Sequence, residues 1–284
     1  MISVSQATVA DDPGRLEPLT AASDRAPLRL TEHRVPQRWL DRLSSAMGRP
    51  VDLRTALAGA GRTLRDAGDC TAAEREALPV APAATRAYCW AEADTRGWLP
   101  GAVAVSGDGD QAPGVIVSAW SRESDGAAGR SAARVAFVDA GEPPAGRDGP
   151  DRPREVSALL AVPVDGGQDY RALSSPVSGM VRYQDKLLVT AGAGDADALY
   201  VYDLDRIQRA TSDAAVVGRV PGGWAADGQA YVLPAVASYR PAGARPRRAP
   251  TRSPWTAAAP RPPSWRASGC RRTPAGPPGC GATR

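Results

Sequence analysis

This chain has almost no histidine and almost no lysine. Its 284 residues include one histidine, His33, and one lysine, Lys186. A single imidazole excludes a histidine-rich metal centre, and His33, in "TEHRVP", reads as a surface residue in a loop with no essential role. Cysteine is also scarce: Cys70, Cys89, Cys270 and Cys280 show no CxxC spacing, so a zinc site is not expected. Cys70 and Cys89 are compatible with a disulfide in an exported protein or with two reduced thiols. No run of 18 apolar residues is present, so no membrane span is expected. The opening "MISVSQATVADDPGRLEPLT" lacks the basic and apolar regions of a signal peptide. As written, the chain is expected to stay in the cytoplasm, and export requires a start further upstream.

Glycine (29) and proline (27) are abundant and hydrophobic residues make up 43%. That balance supports a core of one or two domains rich in turns. The arginine excess over lysine carries little functional information, because a GC-rich codon bias produces it too. The net charge of +4 is misleading. Residues 241–284 hold nine arginines and no acid, which leaves 26 basic against 31 acidic residues in 1–240, a net of −5. A mildly acidic body without a basic, aromatic-interleaved patch excludes nucleic acid as the expected partner.

Residues 1–34 read as a flexible N-terminus and 35–80 as a short helical segment. "VPQRWLDRLSSAMG" places Trp39, Leu40, Leu43 and Met47 at helical spacing, with Pro36 in the first turn. "VDLRTALAGAGRTLRDAG" predicts a second helix with Asp52 as N-cap and Leu53, Leu57 and Leu64 on one side, weakened by Gly59 and Gly61. "TAAEREAL" opens with a capping box, Thr71 and Glu74. From residue 86 to 240 the period changes to short strands: 102–107, 114–121, 133–140, 156–165, 177–192, 197–207, 215–223 and 229–239. No helix of crossover length separates them, which predicts antiparallel meanders. "RYQDKLLVTAGAGDADALYVYDLDRI" (182–207) reads as strand, turn at Gln184-Asp185, strand, loop and strand. Such units resemble β-propeller blades of the WD/YVTN-like kind. The expected fold is therefore mainly β: a partial, open propeller of three to four blades preceded by a short helical segment.

The text "YRALSSPVSGMVRYQDKLLVTAGAGDADALYVYDLDRI" resembles a family of uncharacterised secreted proteins from Streptomyces and related actinomycetes. "YCW" (88–90), "WLPGAVAV" (98–105), "VSAWS" (117–121), "ARVAFVD" (133–139) and "GGWAADGQAYVLPAVASY" (222–239) are similar to its other segments. The resemblance covers 86–240 and, loosely, 36–80. It implies a secreted protein with a helical opening and a β-propeller, and it supplies no catalytic residues. Beyond residue 240 the chain departs from it. Residues 241–284 hold ten prolines with nine arginines and no strand pattern. This tail is expected to be disordered and to be a truncated or out-of-frame continuation. Its cysteines and its two tryptophans, Trp255 and Trp265, then have no designed role.

Chemistry is thinly signalled. "GAGDAD" (192–197) lacks the GK[ST] of a phosphate loop, and it and "SGDGDQ" (106–111) read as turns that present too few oxygens for calcium. No cofactor and no metal are expected. Paired carboxylates from Asp94, Glu123, Asp139 and Asp185, with Trp98, Trp120 or Trp224 as a sugar platform, would suit glycoside hydrolysis. Tryptophans in short strands more commonly pack between sheets. A binding or interaction module for a protein or carbohydrate is thus favoured over an enzyme, with a non-functional truncated copy as the third reading. Three to four blades without closure leave apolar sheet edges bare. Size-exclusion chromatography is expected to show self-association of the purified chain, and a monodisperse monomer unfolding sharply well above about 60 °C, beyond the usual mesophile range, contradicts it.

Overall fold

The computed structural model describes residues 29–76, 88–106, 114–122, 131–141, 152–191, 197 and 199–241. Glu123, most of the two Gly/Asp loops, Cys270, Cys280, Trp255, Trp265 and everything from 242 onward lie outside the described residues. In chain order come β1 (Leu30–Arg34), α1 (Gln37–Met47), α2 (Leu53–Ala58), β2 (Arg62–Thr63), β3 (Arg65–Asp66), α3 (Ala72–Glu76), β4 (Tyr88–Cys89) and α4 (Glu92–Thr95). The sheet strands follow: β5 (Leu99–Val105), β6 (Val115–Arg122), β7 (Ala132–Asp139), β8 (Arg154–Val164), β9 (Asp169–Ala172), β10 (Val177–Tyr183), β11 (Lys186–Ala191), β12 (Leu199–Asp203), β13 (Gln208–Arg209), β14 (Val217–Val220), β15 (Gly223–Ala226) and β16 (Tyr231–Pro241).

The chain is mainly β, as its strand text predicts. Two antiparallel meanders, β5-β6-β7-β8 and β10-β11-β12, form the bulk of the structure. They agree with a propeller-like reading at the level of meander strands. Their arrangement is one continuous sheet in the order β10-β11-β12-β16-β8-β7-β6-β5, with β1, β2, β9 and β13 as side branches. One pairing departs from the antiparallel expectation: β16 runs parallel to β8, Tyr231 beside Ala158 through Pro234 beside Ala161. A parallel pair needs a long crossover, and the second meander supplies it in place of a helix. The sheet is nearly closed, like a barrel. Its ends, β5 and β10, meet without a ladder: a Cβ on Gly101 would lie 2.4 Å from the Val177 carbonyl oxygen, and the Val177 N–H donates to Ser121 Oγ at 3.1 Å. Only glycine permits that approach. Leu99, Val103 and Val105 of β5 and Val181 and Tyr183 of β10 stay largely exposed on these two end strands.

Alternation along the strands builds two cores. Val117, Val135, Phe137, Leu160, Leu187, Val189, Tyr202 and Leu233 fill the inside of the sheet, and Leu53 and Leu57 of α2 join them. The opposite face of β6, β7, β8 and β16 carries Trp120, Ala136, Leu159 and Val232 under Leu43 and Met47 of α1, Trp98 and Trp224. The helical segment therefore packs on the sheet.

Local differences from the sequence reading have local causes. The second helix stops at Ala58, with Gly59 as its C-cap, and the chain then extends through β2 and β3; Leu64 is buried there from extended backbone. Two glycines in three residues remove the helical preference. Asp52 caps α2 as expected, accepting from the Thr55 N–H at 2.6 Å. The capping box also forms: the Thr71 N–H donates to Glu74 at 2.7 Å and the Glu74 N–H to Thr71 Oγ1 at 3.3 Å. The Thr71 backbone N–H, with help from Arg65 and the Thr71 hydroxyl, draws the Glu74 carboxyl down to about 2. Leu30–Arg34, inside the stretch read as flexible, pairs with the far half of β16. Gln184-Asp185 makes the turn between β10 and β11, with Gln184 at φ 56°.

Cys70 and Cys89 form a disulfide, with their Cα atoms 5.9 Å apart. It joins the segment after β3 to β4, the start of the stretch that carries α4 and Trp98 over the sheet. Closing a loop of this length removes unfolded-state entropy equivalent to about 3 kcal/mol. Replacing both cysteines by serine is expected to lower unfolding stability by about 2–4 kcal/mol in urea titration. A change below about 0.5 kcal/mol, the size of an ordinary surface substitution, shows that the bridge closes nothing of consequence.

Candidate functional site

The strand β8 has β7 along one edge and changes partner on the other. Arg154 and Glu155 face β2, while residues from Ala158 onward face β16. Among the described residues no strand lies opposite Val156 and Ser157 on that edge, and a cleft of about 620 Å³ opens beside them. Gly59–Arg62, the start of β8, residues 209–213 and residues 228–231 form its walls.

Glu155 is the unusual group in this cleft. It is 4% exposed, on the cleft wall. Burial raises its carboxyl above the ordinary range; Arg62 and Arg134 pull the other way, and Asp94 adds to the rise. Opposite lies Arg209, exposed, its guanidinium 5.1 Å from the centre of the Tyr231 ring, with no carboxylate partner among the described residues. The Tyr231 hydroxyl is buried without a hydrogen-bond partner.

Behind Glu155 a charged cluster extends under the disulfide-tied stretch. Arg62 pairs with Asp94 at 2.9 Å. Arg134, 4% exposed, donates to the Asp94 carbonyl and, at 3.2 Å, to Gln229 Oε1. Its guanidinium sits 4.4 Å from the Trp98 ring centre, and that of Arg122, which pairs with Asp227, sits 4.9 Å away. Burial brings Arg134 down to about 10, opposed chiefly by Glu155. Two indole-facing cations and their acids thus form a roughly neutral network beneath the cleft.

The residues proposed from sequence are dispersed. Asp94 belongs to this network. Asp139 ends β7 and pairs with Arg154 at 3.5 Å. Asp185 holds Lys186, whose ammonium also lies 3.3 Å from Asp203. Asp185, Asp203 and Asp205 converge; Lys186 meets Asp185 and Asp203, and Arg206 lies 3.7 Å from Asp203. The three tryptophans are packing residues: Trp98 under the arginines, Trp120 edge-on to Trp90 at 5.2 Å, and Trp224 stacked on Tyr170 at 5.7 Å. None is free as a sugar platform. His33 is exposed on β1, opposite Ser238. The carboxylate whose titration Asp94 influences is Glu155. Its signal in the sequence is a charge inside apolar strand text, "REVSALLAV", matched by Arg134 in "ARVAF".

No protein-family model matches this chain, and neither a curated protein nor a solved structure matches it.

The raised Glu155 carboxyl has a definite pH signature. The folded chain holds this proton more tightly than the unfolded chain does, so the residue costs nothing at pH values below 4.5 and destabilises increasingly as pH rises through its raised folded value. Glu155→Gln is therefore expected to equal the parent in acid and to exceed its stability near neutral pH. Urea unfolding at a series of pH values measures this, and a pH-independent difference contradicts it.

Proposed function

We propose that the chain is a non-catalytic binding module whose site is the cleft where β8 passes from β2 to β16. The observation that carries this reading is the cleft itself, about 620 Å³ in volume and opened by the change of partner along β8, with Arg62, Glu155, Arg209 and Asp213 among its wall residues. A concave site with a few charged groups in its wall is the ordinary form of a ligand site. Glycoside hydrolysis is the weaker reading. Asp94, the acid nearest to Glu155 in charge interaction, is already paired with Arg62, and no aromatic ring is free in the cleft wall. The family resemblance and export form part of the proposal. The Cys70–Cys89 disulfide supports export, since such bridges persist in oxidising compartments.

A thermal-shift panel of monosaccharides, amino acids and short peptides tests the module. At least one member is expected to raise the Tm by several degrees when saturating, since about 2.7 kcal/mol accrues at a hundredfold excess over Kd. Ala230→Trp, which fills the cleft from an exposed wall position, is expected to abolish that shift. Chromogenic aryl glycosides are expected to remain intact; turnover that Glu155→Gln eliminates overturns the reading in favour of an enzyme.

A further inference from the structure

The outer surface of the sheet is covered on one side only. The core beneath α1 and the tryptophans draws on β6, β7, β8, β9, β15 and β16 and, among the described residues, on none of β5, β10, β11 and β12. Along those four strands Ala104, Met180, Leu187, Val189 and Tyr202 point into the inner core, so the positions between them face out. Paired residues of an antiparallel ladder share a face. The registers therefore set Val181 beside Leu188, Leu188 beside Val201, and Val105 beside Ile116 on the outside. β5 and β10 lie side by side where the ends of the sheet meet. The ladders between them reverse direction an even number of times, so the two strands run the same way. Val103 and Val105 thus stand next to Val181 and Tyr183, and these four are 63%, 64%, 59% and 65% exposed.

We infer that this apolar band is the face by which two copies of the chain pair about a two-fold axis. The four exposed side chains, with smaller parts of Ile116, Leu188 and Val201, make a contiguous apolar surface of about 500 Å², at the upper end of what a monomer shows. Two copies together then bury about 1,000 Å², the size at which specific interfaces begin. No charged residue stands among these seven, which is the composition of an interface centre. The ion group at the margin of the band is closed within each copy: Lys186, level with Tyr183, meets Asp185 and, at 3.3 Å, Asp203. A two-fold axis therefore sets no like charges against each other, and a charged partner finds no opposite charge in the band. In a two-fold contact, one residue meets a second on the partner copy and that second meets the first. The valines of β5 and the Val181–Tyr183 row of β10 are two such halves, one on each side of the line where the sheet ends meet. Pairing of this kind stops at two copies, whereas edge-to-edge stacking of strands has no such limit. No residue of the cleft wall belongs to the band, so the dimer does not rest on the cleft's being a binding site.

Sedimentation velocity of the full chain over a dilution series from about 100 μM to about 1 μM tests this, the range in which an interface of this small size dissociates. The mass is expected to pass from that of two 29.5 kDa chains to that of one, and never to exceed two. Val181→Glu is expected to weaken pairing at least about tenfold, by placing a charge in the apolar contact. Val216→Glu, at an exposed apolar position outside the band, is expected to leave pairing unchanged. Mixing the Val181→Glu chain with a Val103→Lys chain is expected to restore it, since the two-fold contact sets the β10 row of one copy against the β5 row of the other. The dilution series needs no variant, so poor folding of any mutant leaves it intact. A chain that stays single throughout, one that grows past two copies, or a dimer that Val181→Glu leaves as it was overturns the inference. A single chain that floats with phosphatidylcholine vesicles, and ceases to do so in Val181→Glu, overturns it in favour of a lipid surface.

Discussion

A ladder of four residue pairs joins the two meanders of this protein, which also touch where β10 passes β5 and β6. Tyr231–Pro234 run parallel beside Ala158–Ala161, and this is the ladder between the first meander and the rest of the sheet. Because β16 also carries β12, β1 and β13, the second meander and the N-terminal strand reach β8 through it. The inner core depends on the same ladder: Leu160 and Leu233 meet there, both fully buried. The cleft is a by-product of this arrangement. The parallel ladder begins at Ala158, β2 reaches only Glu155, and the uncovered interval between them is the opening.

The charged network under the cleft has a similar economy. Arg134 projects from a strand whose other residues before the closing Asp139 are buried and small or apolar. An arginine in that position is tolerable only with several compensations at once, because desolvation of a cation costs more than a single partner returns. Here the indole of Trp98, the Asp94 carbonyl, the Gln229 amide and the field of Glu155 share the task. Trp98 and Asp94 come from the stretch that the disulfide fastens to β3, so a covalent link far along the chain holds two of the arginine's partners, while its Nε stays without a hydrogen bond.

The strand positions and the β class were legible because burial on a sheet writes a two-residue alternation into the sequence. "VIVSAW", "ARVAFVD" and "KLLVTA" all carry it, and the Gln184-Asp185 turn and both helix caps were visible for equally local reasons. Which strands lie side by side was not legible. The neighbour of Ala158 is fixed by residues near 231, and nothing within either segment records the other. The site shares this limit. Asp94 could be named as an acid near tryptophans, yet its meeting with Arg62, Arg134 and Glu155 draws on four separate elements. Glu155 and Arg134 left only the trace of a charge where an apolar residue belongs, and that trace marks burial without revealing the partner.

The joining ladder also has a consequence in time. Ala158 and Tyr231 are about seventy positions apart, and pairing over such a distance is the slow part of folding, because the loop must close before any contact rewards it. During synthesis the first meander leaves the ribosome with its β8 edge open until most of the remaining sheet has been made. For that interval the edge of Leu159 and Leu160 is an uncapped template, and the competition between β16 and another nascent copy of the same strand is decided by local chain concentration.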